Sequence, residues 1–70
     1  MKKAILLKFG QRVRELRIKS GLSQEELAAR AGLHRTYIGM IERAEKNITL
    51  ENIYKISSAL GLQVNELINF

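Results

Sequence analysis

Four times along this chain an apolar residue directly precedes a residue placed to cap a helix, and a second apolar residue follows five positions after the first. The pairs are Leu22 with Leu27 across Ser23, Leu33 with Ile38 across His34, Ile48 with Ile53 across Thr49, and Leu62 with Leu67 across Gln63. This is the spacing of a hydrophobic staple, in which the residue before the cap packs on the first turn and fixes how the chain enters the helix. Ser23 also has Glu26 three residues on, a capping box that satisfies two otherwise orphaned helix donors. Ser23 and Thr49 are good caps, His34 and Gln63 poor ones. Gly21, Gly32 and Gly61 fall between the segments as helix stops, in a chain with no proline. Upstream, Ile5, Phe9, Val13, Leu16 and Ser20 form one helical stripe. Any helical protein yields some staple-like pairs by chance, but four in phase with the stops predict five helices, at about 3–19, 24–31, 35–43, 50–60 and 64–69. No alternating β-branched stretch and no Asn-Gly or Asp-Gly hairpin turn competes, so the expected fold class is all-α.

With 70 residues, the expectation is a single domain over residues 1–70 and no separate ligand-sensing unit. The chain has no cysteine and one histidine, His34. Disulfides, a thiol nucleophile and Cys- or His-rich metal sites are therefore excluded, and neither a metal nor a cofactor is expected. No acid/base pair has a nucleophile or a glycine-rich phosphate loop beside it, so an enzyme is not expected either. No apolar run approaches the ~20 residues that span a bilayer, and residues 4–7 are too short for the ~7–15 residue core of a signal peptide. A cytoplasmic location is the expectation.

Charge is the informative deviation. Twelve Lys and Arg against seven Asp and Glu leave +5, which favours anionic partners. The excess is N-terminal: residues 1–22 carry Lys2, Lys3, Lys8, Arg12, Arg14, Arg17 and Lys19 against Glu15, while the remainder is −1.

The second and third predicted helices are separated only by Gly32, Leu33 and His34, which reads as a helix-turn-helix. Gly32 permits the left-handed turn, Ala28 is small where the next helix crosses, and Ile38 and Ile41 seat that helix on the core. An αα-corner without a ligand would carry the same packing residues, so the exposed face must decide. At about 100° per residue, Thr36, Gly39, Met40 and Arg43 point away from Ile38 and Ile41, with Arg35 on the flank. This face has two arginines, a hydroxyl, a thioether and a glycine, and no acid. Gly39 is the odd choice, since glycine in a helix interior costs about 1 kcal/mol relative to alanine. The expectation is that bare backbone there serves a close approach, as to a groove wall.

The stretches LRIKSGLSQEELAARAGLHRTYIGMIERAEKN and ITLENIYKISSALGLQVNELI resemble the lambda-repressor/Cro-type helix-turn-helix proteins, the XRE family, over nearly the whole chain. The tract GLHRTYIGMIERAEKNITL is especially similar to the controller proteins of restriction–modification systems, which regulate their own operon and the endonuclease gene. The resemblance implies a compact five-helix, lambda-repressor-like domain whose third helix enters the major groove of double-stranded DNA. It also implies homodimers that read a near-palindromic operator with half-sites about one helical turn (~34 Å) apart. On the matching positions, Arg35, Thr36, Tyr37 and Met40 become candidate base readers. Arg35 suits guanine O6/N7, Thr36 offers a hydroxyl and a methyl, and Met40 offers apolar contact. The Tyr37 ring is expected to pack, leaving its hydroxyl for a phosphate or a base edge. Gln24, His34, Arg43, Lys46 and Asn47 become candidate phosphate contacts. Arg17 and Glu42 resemble the family's ion pair between the first and third helices, and Glu42 lies only about 70° from the buried direction. Val64, Leu67, Ile68 and Phe70 resemble its dimer edge. One departure stands out: Ala44 occupies the place usually held by glycine, which leaves the end of the third helix open.

Two other readings compete. The segment KKAILLKFGQRVRELRIK has the composition of a helix that binds an anionic membrane surface, although Phe9, Val13 and Leu16 are needed for a core in so small a chain. A DNA-binding antitoxin or other protein-interaction module, with a partner chain, is the second.

Overall fold

The computed structural model describes residues 3–70; Met1 and Lys2, and with them part of the N-terminal charge, lie outside the described residues. Five helices follow one another: α1 (Ala4–Lys19), α2 (Gln24–Ala31), α3 (Arg35–Glu42), α4 (Leu50–Ala59) and α5 (Val64–Leu67). Among the described residues there is no strand. The starts agree with the sequence expectation to within one residue, while α3, α4 and α5 each stop earlier, by up to two residues.

The helix starts follow the cap chemistry. Ser23 Oγ accepts from the Glu26 amide at 3.0 Å and Glu26 Oε1 accepts from the Ser23 amide at 2.9 Å, a complete capping box. These bonds, backbone first, hold the Glu26 carboxyl below its ordinary value. Thr49 Oγ1 accepts from the Asn52 amide at 3.2 Å. His34 makes no side-chain cap.

The stops share one device. After α2, Gly32 takes a left-handed φ of +68°, and the amides of Gly32 and Leu33 bond back to Ala29 and Ala28 at 3.3 and 2.9 Å. That is the Schellman pattern, which satisfies the last carbonyls of a helix. Gly21 and Gly61 close α1 and α4 in the same way. Ala44 closes α3: at φ +59° it adopts the glycine conformation, and Ala44 and Glu45 bond back to Ile41 and Met40 at 3.0 and 2.8 Å. Alanine at this position thus ends α3 in the same way as glycine ends α1, α2 and α4. The methyl group is buried, which offsets part of the left-handed penalty of ~1–2 kcal/mol.

Leu22 and Leu33 each follow a stop and precede a cap, so one residue both ends a helix and staples the next. Both members of the first three staple pairs lie in or against the core. That core joins all five helices: Phe9 and Val13 from α1, Leu27 and Ala28 from α2, Ile38 and Ile41 from α3, Ile56 from α4 and Leu67 from α5. Leu67 is fully buried. The expectation that it lies at a dimer edge is therefore corrected: its side chain closes the monomer core and has no surface to offer a partner.

Candidate nucleic-acid interface

α2 and α3 pack on each other across the turn, and α1 crosses behind α3. With Ile38 at 0% and Ile41 at 2% exposure, one face of α3 is committed to the core. Its first turn is open: Arg35 and Thr36 are exposed, and Met40 is half-buried. An eight-residue helix is about 12 Å long, a length comparable with the major groove width.

What aims this helix lies behind it. Gly10, in the middle of α1, is buried where a Cβ would overlap the Ile41 carbonyl oxygen and come within 2.9 Å of that of Glu42. Only glycine allows this approach. Seven residues on, and so on the same side of α1, Arg17 meets Glu42: Nε donates to Oε2 at 2.6 Å and Nη2 to Oε1 at 3.1 Å. Arg17 Nη1 donates to the Leu22 carbonyl at 2.8 Å. The side chains are 12% and 4% exposed, so this is a bidentate, largely buried pair. The bond to Glu42 raises the Arg17 guanidinium above its ordinary value. One of the basic residues counted toward phosphate attraction is therefore consumed inside the molecule.

Gln24, expected at a phosphate, has a second partner: its Nε2 donates to Glu42 Oε1 at 3.1 Å. The amide nitrogen carries a second N–H for an external acceptor. Tyr37 packs its ring against the core as expected, and its hydroxyl oxygen accepts from Asn52 Nδ2 at 3.0 Å. The tyrosine O–H proton is left to donate elsewhere. Arg43 is exposed and pairs with Glu45, Nε to Oε2 at 3.1 Å, a bond that raises its guanidinium. His34 and Lys46 are exposed. Asn47 is also exposed, but it borders a cavity of about 480 Å³ walled by Ile5, Phe9, Ile53, Ile68 and Phe70. The structure thus places Asn47 with the C-terminal apolar residues.

Gly39 requires a correction. Buried at the middle of α3, it does not offer bare backbone to solvent: the side chains of Arg43 and Gln24 lie over the position of its missing Cβ. Thr36 and Arg43 do face outward as their angles imply; Gly39 is covered, by long side chains folding over the helix.

Three features escaped the sequence reading. Gly10 was legible as a mid-helix glycine two turns before an inward arginine. Leu50 and Tyr54, four apart on the outer face of α4, are 76% and 62% exposed; their phase against Ile53 and Ile56 marks them as outward. Arg12 Nη2 donates to the Glu66 carbonyl at 2.9 Å and Nε approaches that of Leu67 at 3.4 Å, closing the end of α5. A contact spanning more than fifty residues leaves no local signal.

Among the described residues no group of His, Cys, Asp or Glu could hold a metal ion, and no helix is long and apolar enough to cross a membrane. Phe9 and Val13, which a membrane-surface helix would need to expose, are core residues.

The helix-turn-helix family matches residues 13–67. The control protein C.BamHI of Bacillus amyloliquefaciens is 55% identical over 67 residues, covering 94% of this chain and 83% of that protein. For the control protein C.SmaI of Serratia marcescens the figures are 47% over 60 residues, with 86% and 71% covered. The crystal structure of the restriction–modification controller protein C.AhdI from Aeromonas hydrophila superposes with a TM-score of 0.91 at 52% identity, covering 93% of this chain and 98% of that one. The chain thus belongs to the XRE-type helix-turn-helix family, beside the restriction–modification controller proteins.

Proposed function

We propose that this protein is a sequence-specific, double-stranded DNA-binding transcription regulator of the controller type, acting in the cytoplasm on a restriction–modification operon that includes its own gene. It works by binding and positioning, with no catalytic step. The observation that carries the reading is the asymmetry of α3: one face is buried, Glu42 at its end is clamped, and Arg35 and Thr36 stand exposed on its first turn. In the major groove Arg35 reads guanine, Thr36 a neighbouring base edge, and Met40 and the Tyr37 hydroxyl complete the contact. Gln24, His34, Arg43 and Lys46 hold phosphates around it, and the basic residues of α1 add long-range attraction.

The regulator acts as a homodimer on a near-palindrome. Ile68 and Phe70 are 45% and 50% exposed, and Val64 is half-buried. Ile68 and Phe70 wall one cavity with Ile5, itself 58% exposed, and this contiguous apolar surface supports contact with a second copy. Asn47, at the cavity walled by Ile68 and Phe70, belongs to this face as much as to the phosphates. Replacing Ile68 and Phe70 together by aspartate is expected to leave a folded monomer in sedimentation equilibrium; an unchanged dimer would remove them from the interface.

Selection of sites from random duplex DNA tests the whole reading. The expected result is a near-palindrome with half-sites about one helical turn apart, and a selected pool with no common sequence would overturn it. The apolar face equally suits a different protein partner, as in an antitoxin. In that case the purified chain alone would be monomeric and would select no palindrome.

A further inference from the structure

Gly39 has neither of the usual reasons for a glycine. Its φ is not positive, unlike those of Gly21, Gly32 and Gly61, and no backbone crosses it as α3 crosses Gly10. Helix interiors favour alanine over glycine, so this position gives up local stability. A Cβ here would meet only side chains: Arg43 Nη1 at 3.0 Å, Gln24 Oε1 at 3.6 Å and Arg43 Cζ at 3.8 Å. The first distance is too short unless the guanidinium moves aside, whereas the second is ordinary contact.

Arg43 lies one turn beyond Gly39, and its side chain folds back along the helix, as long helical side chains do. Nε is held by Glu45 at 3.1 Å, and Nη1 rests over the bare glycine. The side chain, paired with Glu45, stays 55% exposed, so solvent reaches the guanidinium. Gln24 is oriented in turn, by its bond to Glu42. Nη1 of Arg43, just past the end of α3, and Oε1 of Gln24, at the start of α2, thus converge on the position of the missing Cβ, and a Cβ there would push the guanidinium tip aside by a few tenths of an ångström.

We propose that Gly39 is a positioning residue: it seats the Arg43 guanidinium across α3 so that Arg43 and the second Nε2 hydrogen of Gln24 grip one DNA phosphate jointly. This rests on the DNA-binding reading above. It makes Gly39 a determinant of affinity for the backbone of any duplex, not of sequence choice. It also predicts opposite signs for two measurements on one variant, which a purely structural glycine would not give.

The test is a double-mutant cycle among Gly39→Ala, Arg43→Ala and the pair, with binding to a mixed-sequence duplex followed by fluorescence anisotropy over a salt series and stability by thermal unfolding. Gly39→Ala is expected to melt at or above the wild-type temperature, yet bind about three- to tenfold more weakly. Arg43→Ala is expected to bind more weakly still and to lower the salt slope by about one phosphate's worth. Added to Arg43→Ala, the Gly39→Ala change is expected to have no further effect. Wild-type affinity in Gly39→Ala overturns the proposal. So does an equal loss with and without Arg43, since the glycine would then act directly on the groove. If the wild-type protein itself binds no duplex, the DNA-binding reading falls and takes this one with it, an outcome distinct from the other two.

Discussion

Each side of α3 is bordered by a glycine in the middle of a helix, and the two glycines do opposite things. At Gly10 the obstacle to a side chain is backbone, the carbonyls of Ile41 and Glu42, which cannot move without moving α3. At Gly39 the obstacle is the tip of a flexible arginine. The α1–α3 crossing is therefore a rigid joint, closed further by the Arg17–Glu42 pair, and the patch over Gly39 is an adjustable surface built of Gln24 and Arg43. Glu42 joins them, since its two oxygens take both Arg17 and Gln24. Small glycines at helix contacts are thus not one class, and what a Cβ would strike separates those that fix the fold from those that shape a surface.

Breaking the rigid side has the largest effect. Arg17→Met strands the Glu42 carboxylate at 4% exposure with only Gln24 beside it, and is expected to lower stability by about 3–5 kcal/mol in urea denaturation. An unchanged midpoint would mean that the pair carries no net stability. Gly10→Ala comes next: overpacking against immovable backbone is expected to cost about 2–3 kcal/mol, or roughly 10–20 °C in melting temperature for a domain this small. Gly39→Ala, the same chemical change on the other side, is expected to gain up to about 1 kcal/mol. Losses of similar size at both glycines would erase the distinction between the two sites.

The smallest effect concerns the start of α2, where Gln24 is set. The Glu26 carboxyl is held below its ordinary value of 4.5 by the backbone and side chain of Ser23. A folded value below the unfolded one gives a contribution that is fully present above about pH 4.5 and lost as the pH falls through the folded value. Urea midpoints of wild type and Glu26→Gln are therefore expected to differ at neutral pH and to converge on acidification. A gap independent of pH would show that the ionised box adds nothing.

Much of this was legible in the sequence because it is local. Staples, caps and glycine stops lie within six residues of their partners, so five helices and their starts could be read from spacing. Arg17 and Glu42 were legible through the family resemblance and the inward lean of Glu42. What spacing could not carry is where long side chains go after leaving the helix. Arg43 folding over Gly39 and Arg12 reaching the end of α5 are tertiary choices with no periodic signature. Leu67 was misread for a related reason: in a last helix of four residues, one apolar residue suffices to close the core, and sequence does not say which of several neighbours it is.

If α3 is held rigidly so that a few exposed side chains can read sequence, Arg35 is where that shows most directly. Affinities of wild type and Arg35→Ala are to be compared on a duplex selected by the wild-type protein and on a scrambled duplex of the same composition, at one salt concentration. The expected result is a loss of about 1–3 kcal/mol on the selected duplex and a much smaller one on the scrambled duplex, with discrimination relaxed at one base pair per half-site. Equal losses on both would make Arg35 a phosphate contact and α3 no reader of sequence through it.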